Sequence, residues 1–384
     1  MKLKTTPRPK PEPKLPLQAF RLRNFKAVRD SGEVHFTPLT VLIGKNGSGK
    51  SSLIEALETF QNVIQQGIDD AFIPWKGFES VWNKAVSHKP TEDQVGKISP
   101  SNPMEFEAVG LTDAIPFQGK IEINKDEKRD QIFITNQDFD TPLNPPKVEK
   151  SKEMAPEFHV RDLAWHRFVY KWQFISLEPS RMLEPKPQRR SLREIRLAKD
   201  GSNIAQYLQS IADTEPTALE GIVEALKAVL PYADDLRPAI TSELERNVYL
   251  TLTEKGLKEP LGGWLLSQGT LRILALFAVL RHPKPPSVVF IEELENGLDF
   301  RTVQMLVEEI RQFVNGTGRQ VVVTTHSPYL LDLVPLSQVV LVTRKAKGPS
   351  FWRPTESKEL REWAEDYGPG SLFTMGRLQQ KEGQ

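Results

Sequence analysis

Residues 41–52 read Val41-Leu42-Ile43-Gly44-Lys45-Asn46-Gly47-Ser48-Gly49-Lys50-Ser51-Ser52, and the helix pattern Leu53-Ile54-Glu55-Ala56-Leu57 follows. A β-branched run, a glycine-spaced loop and a helix in that order require a buried strand feeding directly into a helix. Glycines 44, 47 and 49 let the loop turn its backbone N–H groups inward, and the helix N-terminus adds a field that favours anions. Lys50 is spaced to reach the β- and γ-phosphates of a bound polyphosphate. The Ser51 hydroxyl is placed to ligate Mg²⁺, and Lys45, Asn46, Ser48 and Ser52 complete the cradle. The segment is expected to bind a nucleoside triphosphate.

The remaining composition narrows the class. With 384 residues, 39% hydrophobic and 26% charged, the chain has the balance of a soluble globular protein of roughly two domains, or of one large domain with insertions. It contains no cysteine, which excludes disulfide scaffolds and thiolate metal sites. The longest apolar run, Ile273 to Leu280, falls well short of the ~20 residues of a membrane span. The lysines at the N-terminus have no hydrophobic stretch behind them, so a cytoplasmic location without membrane contact is expected. Net charge is only +1, so nucleic-acid binding would need a local basic patch.

Along the chain, residues 1–16 are rich in proline and lysine and read as an extended, solvated tail. Alternation predicts strands near Gln18–Phe25, Val34–Phe36 and Leu39–Ile43, then a helix from Ser51 to about Ile64. Met104–Val109, Lys120–Ile123 and Gln131–Thr135 predict an antiparallel meander. Residues 138–157 read as a loop, and Phe168–Tyr170 and Trp172–Ile175 as strand. Apolar spacing between Ser202 and Leu230 predicts two helices broken near Thr214-Glu215-Pro216, with a strand at Val248–Leu252. Heptads are absent.

Three further motifs carry chemistry. Pro286-Ser287-Val288-Val289-Phe290-Ile291-Glu292-Glu293 is a buried-strand pattern ending in two carboxylates. Successive side chains diverge on a strand, so the two acids must differ in role. Glu292 is expected on the Mg²⁺ side and Glu293 as the general base that polarises water. Val321-Val322-Val323-Thr324-Thr325-His326-Ser327-Pro328 is a second buried strand, one helix later. That is the spacing of a βαβ unit, which would put His326 beside the carboxylates as a γ-phosphate contact. Leu265-Leu266-Ser267-Gln268-Gly269-Thr270 opens an apolar helix, where Ser267 and Gly269 form a second device for anions.

In this order these motifs resemble an ATP-binding-cassette ATPase, and more narrowly the SMC/RecF/OLD-like branch. Leu22-Arg23-Asn24-Phe25-Lys26, Glu292-Glu293-Leu294-Glu295-Asn296-Gly297-Leu298-Asp299 and Tyr367-Gly368-Pro369-Gly370-Ser371-Leu372-Phe373 resemble its local vocabulary, the last that of bacterial "predicted ATPase" members. The resemblance implies an α/β P-loop NTPase head: a mixed sheet around the P-loop helix, an antiparallel β-meander and a short helical insertion. Its implied division is a tail (1–16), an N-terminal lobe (17–180), a basic segment with helical insertion (181–245) and a C-terminal lobe (246–384). It implies ATP and Mg²⁺ as cofactors, with Ser51 and Glu292 toward the metal and Lys50, Glu293 and His326 as catalytic residues. It also implies a head-to-tail homodimer in which Ser267 and Gly269 of one copy close over the ATP held by the other. Relatives without long coiled-coil arms often serve anti-phage systems beside a separately encoded nuclease or toxin.

Two departures stand out. Glu292 occupies a position where most cassettes carry Asp, which leaves open an ATP-binding scaffold with negligible hydrolysis. The glutamine that links the lobes has no obvious counterpart, since Gln61, Gln65 and Gln66 read as helix surface. The basic run from Arg181 through Arg189, Arg190, Arg193, Arg196 and Lys199 reads as a solvated face or as a nucleic-acid contact. Asp138-Phe139-Asp140 reads as loop, so a self-contained nuclease is disfavoured.

Overall fold

The computed structural model describes residues 15–86, 91–92, 98–99, 102–112, 115–126, 129–140, 163–190 and 195–378. Residues 1–14 of the tail reading and 141–157 of the loop reading therefore lie outside the described residues; at its end the tail reading is corrected, since Leu15 is buried and the Pro16 carbonyl accepts from the Leu111 N–H at 3.1 Å.

In chain order the elements that position the site begin with β1 (Leu17–Phe25), β2 (Leu39–Ile43) and the P-loop helix α1 (Lys50–Gln66). A meander follows: β3 (Met104–Thr112), β4 (Ile115–Asp126) and β5 (Gln131–Asp140). Next come α2 (Leu163–Tyr170), β6 (Trp172–Ile175), the helix pair α3 (Ile204–Thr214) and α4 (Pro216–Val229), and the hairpin β7 (Ala233–Ile240) and β8 (Asn247–Glu254). The C-terminal part holds α5 (Gln268–Leu280), β9 (Val288–Ile291), α6 (Phe300–Val314), β10 (Gln320–Thr325), β11 (Val339–Lys345) and β12 (Gly348–Trp352).

The central sheet has the order β6-β9-β10-β2-β11-β12, parallel except for the final pair. Its register places Ile175 beside Ile291, Ile291 beside Val323 and Ile43 beside Thr325. The segments that follow β2, β6, β9 and β10 therefore emerge at one edge, where open α/β sheets bind ligands.

Both faces of this sheet are covered, which is why its strands are continuously apolar. Val41, Ile43, Val289, Ile291, Val321 and Val323 pack on one side with α3, α4, α5 and α6. Leu42, Val288, Phe290, Val322 and Val340 pack on the other with α1 and the meander. The alternation along each strand follows from the two-residue repeat of β-structure. The helix pair α3–α4 is part of the first core, since Ile204, Leu208, Ile222 and Leu226 are buried there beside Leu274.

The antiparallel meander, the two helices and the strand at 248–252 occur as expected. Two readings are corrected. Phe168–Tyr170 is the end of helix α2, because Trp165, Phe168 and Val169 stand at helical spacing and all three are buried. Asp138-Phe139-Asp140 lies in strand β5, paired with Lys120, Gly119 and Gln118 of β4.

Candidate nucleotide site

The loop between β2 and α1 has the backbone that its glycines predict, but for two separate reasons. Gly47 and Gly49 adopt positive φ, at 72° and 114°, a region that costs an L-residue about 1–2 kcal/mol. Gly44 is required by proximity: a Cβ there would stand 2.1 Å from the Val342 carbonyl oxygen of β11. Lys50 Nζ donates to the Gly44 carbonyl at 2.7 Å and to the Lys45 carbonyl at 3.3 Å. Burial pushes the Lys50 ammonium below its ordinary value, against the opposing charges of Glu293 and Glu295. The Ser48 hydroxyl is buried in the same loop without a hydrogen-bond partner among the described residues. A buried orphan hydroxyl and an ammonium resting on loop carbonyls fit a polyphosphate that would satisfy both.

Ser51, at the start of α1, favours the charged form of the Glu292 carboxyl, so the two side chains expected at Mg²⁺ are neighbours. Burial raises the Glu292 carboxyl above its usual range, with Lys199 opposing and Glu55 and Glu58 adding to the rise. Among the described residues no cluster of three His, Cys, Asp or Glu side chains is built to hold a metal. One hydroxyl and one carboxylate fit Mg²⁺, which takes most of its remaining ligands from phosphate and water.

Glu293 follows in a left-handed conformation, φ 50°. Three contacts hold it. The Glu293 N–H donates to Thr324 Oγ1 at 2.9 Å, the Asn296 N–H donates to the Glu293 carbonyl at 3.0 Å, and Asn296 Nδ2 donates to Glu293 Oε2 at 3.2 Å. Backbone strain of this kind persists where the surroundings over-determine it and is common at reacting sites.

His326 is exposed just past β10, and its N–H donates to Glu295 Oε1 at 2.8 Å. The other oxygen of Glu295 is buried without a partner. Ser267 caps α5 by accepting from the Thr270 N–H at 3.0 Å, and it is exposed. A Cβ on Gly269 would lie 3.0 Å from the Gly297 carbonyl, which brings the start of α5 against the Glu-Asn-Gly-Leu-Asp loop.

Several residues of the site have no role in it assigned from sequence. Thr324 reaches it through strand adjacency, Glu295 from the loop after β9, and Arg272 from α5, where the Glu293 charge opposes the lowering of its guanidinium by burial. Arg344 from β11 donates to the Gly47 carbonyl at 3.2 Å. Lys199 Nζ stands 2.6 Å from Glu58 Oε2 and 3.7 Å from Glu292 Oε1.

Gln61 is corrected. It is buried, and its Nε2 donates to the carbonyls of Val169 at 2.8 Å and Trp172 at 3.1 Å. It ties α1 to the turn between α2 and β6. Gln66 is on the helix surface, where it bonds Asn62. No glutamine follows β6 at the ligand-binding edge; Ser176, Leu177 and Glu178 stand there.

The sequence profile described as "AAA domain, putative AbiEii toxin, Type IV TA system" matches residues 39–332. The chain is 21% identical over 351 residues to an "ATP/GTP phosphatase" of Helicobacter pylori (strain ATCC 700392 / 26695), covering 84% of this chain and 88% of the relative. Two solved structures are similar at 12% identity. An Smc head bound to the C-winged helix domain of ScpA gives a TM-score of 0.57, covering 88% of this chain and 96% of that one. A Pyrococcus furiosus Smc head with an extended coiled coil, bound to the C-terminal domain of ScpA, gives 0.56, covering 91% and 99%. These structures establish the fold, that of an SMC-type P-loop head, as expected. No helix among the described residues is long and apolar enough to cross a membrane.

Proposed function

We propose, from the premise that this chain belongs to the AAA-domain family matched over residues 39–332 and is an SMC-like ABC ATPase, that it works as an ATP-hydrolysing switch closed by a second copy of itself. One arrangement carries this reading. The segments bearing Lys50, Ser51, Glu292, Glu293 and His326 emerge at one sheet edge, whereas Ser267 caps its own helix at an exposed position. An anion-binding helix start facing outward fits the γ-phosphate held by a partner. Exposed Trp264, Leu265 and Phe300 around that surface support a docking face.

In the closed state Lys50 would leave the loop carbonyls for the β- and γ-phosphates. Ser51 and Glu292 would hold Mg²⁺, which when bound neutralises charge on the phosphates. Glu293, aimed by Thr324 and Asn296, would take the proton of the attacking water. His326, anchored through its N–H by Glu295, would contact the γ-phosphate. Closure depends on ATP because only the closed pair makes the added contacts.

The output reading is that the switch acts in the cytoplasm with a separately encoded nuclease or toxin, in anti-phage defence or nucleic-acid processing. It is supported by the SMC/RecF/OLD-like motif set without long arms and by the toxin-system wording of the family description. The competing reading, an ATP-binding scaffold with negligible hydrolysis, draws support from Lys199, a cation already 3.7 Å from Glu292.

The test is ATP turnover, with and without DNA or RNA, together with solution mass for wild type and Glu293→Gln. The switch predicts an active wild type and a variant that binds ATP, turns over poorly and accumulates as dimer. Unchanged turnover in Glu293→Gln would overturn the role of Glu293, and an inactive wild type under every condition would favour the scaffold.

A further inference from the structure

At the opposite end of the central sheet from the nucleotide loop lies a cavity of about 440 Å³, within the range of small-molecule sites. It sits where β6, β9 and β10 begin. There the Ser287 N–H donates to the Lys171 carbonyl and the Gln320 N–H to the Ser287 carbonyl, both at 2.9 Å.

Its charge is one-sided. Lys171, Arg196, Lys284 and Arg319 line it, and no carboxylate among the described residues does. None of the four forms an ion pair with a described residue, whereas Lys120 on β4 has Glu105 and Glu122. Four cations without an acidic partner among the described residues repel each other around one concavity, and low-dielectric walls focus their field on anything that enters. A chain of net charge +1 thus holds a concentrated anion-attracting spot away from its P-loop.

The walls also carry flat rings. His282 stacks on buried Tyr207, with centroids 5.2 Å apart and planes at 18°. Half-exposed Tyr170 carries the Arg196 guanidinium 4.4 Å above its ring. Pro285 and Pro286 stiffen the rim that leads into β9. Cations with stacking rings on a rigid rim are the elements that recognise a base and its phosphate together.

We propose that this cavity binds a nucleotide unit, one base with its phosphate, supplied free or by a single-stranded nucleic acid. The site is separate from the P-loop and does not require the hydrolysis reading. It also gives the basic segment a defined contact through Arg196. Arg196 and Lys199 belong to one short stretch fixed along β6, where Gln173 Nε2 donates to the Leu197 carbonyl at 2.9 Å and the Ser176 N–H to the Lys199 carbonyl at 2.8 Å. The stretch runs from the cavity to the Glu292 side of the P-loop site.

The test uses the full chain and two probes: a 5′-phosphorylated, fluorescently labelled ten-nucleotide oligo-dT, and thymidine 5′-monophosphate as competitor. The monophosphate lacks the β- and γ-phosphates that the P-loop recognises. Lys284→Glu with Arg319→Glu should weaken the responding probe at least about tenfold, and binding should fall steeply with added salt. ATP binding by that variant should be unchanged, which also controls for folding. Oligonucleotide binding without competition by the monophosphate assigns a nucleic-acid strand, and effective competition assigns a free nucleotide; both support the site. Failure of both probes to bind, or undiminished binding by the folded double variant, would overturn it, whatever the ATPase result.

Discussion

The Lys199 ammonium and the Glu292 carboxylate stand 3.7 Å apart, so the acid assigned to Mg²⁺ already faces a cation of its own chain. Lys199 is drawn in by Glu58 as well, at 2.6 Å, and although burial opposes its charge, the surrounding carboxylates raise it above its ordinary value. A fixed positive charge at this distance repels an incoming divalent ion. Lys199→Met should lower the Mg²⁺ concentration for half-maximal binding of a non-hydrolysable ATP analogue by several-fold, and Lys199→Arg should not. Equal Mg²⁺ dependence in all three proteins would show that Lys199 does not compete.

The left-handed backbone of Glu293 gives a stability prediction independent of catalysis. Glycine accepts φ near 50° without the Cβ penalty. Glu293→Gly and Glu293→Ala both lose the contact with Asn296, so their difference isolates the backbone. The glycine variant should be more stable than the alanine variant by about 1 kcal/mol in denaturant titration. Equal midpoints would mean that the loop relaxes when the side chain is removed.

Gln61→Leu tests the buried tie between α1 and the α2–β6 turn. The leucine fills a similar space but leaves the carbonyls of Val169 and Trp172 without donors. The cost should be about 2–3 kcal/mol, read as a lowered unfolding midpoint, with ATP affinity of the folded protein little changed. A stability within experimental error of wild type would contradict the buried hydrogen bonds.

Asp30 offers a pH signature. Burial alone would raise its carboxyl, but hydrogen bonds from Arg21, the Gly32 N–H and Arg23 hold it at about 2. A folded value below the unfolded one stabilises the protein above the unfolded value, and that contribution is lost as pH falls through the folded one. The loss should therefore fall between about pH 4 and pH 2. The group is more than a third exposed, so the effect, after screening, should stay below about 1 kcal/mol. Comparing acid unfolding of wild type and Asp30→Asn measures it, and parallel curves across that window would refute the assignment.

Much of this architecture is legible in the chain because its demands are local. The glycines, the Lys50-Ser51 pair and the apolar run ahead of Glu292 each answer a requirement set within a few residues, whether of dihedral angle, phosphate reach or burial on both faces. The misreadings have physical causes too. Phe168-Val169-Tyr170 is too short an apolar run to separate strand from helix until Trp165 is counted with it. Gln61 looks like helix surface because polarity suggests water, whereas its partners are two carbonyls more than a hundred residues away.

Local sequence shows that a phosphate loop, two carboxylates and a histidine each follow a buried strand, and these motifs carry the family and fold of the chain. Which groups those residues meet is set by how the strands and helices pack. Thr324 holds Glu293, Glu295 holds the His326 backbone, Lys199 faces Glu292, and four basic side chains with no acidic partner among the described residues line a cavity at the far end of the same strands. Strand order and register create these relationships between residues distant in the chain, and no local pattern encodes them, because a side chain's partner depends on which strand lies beside it.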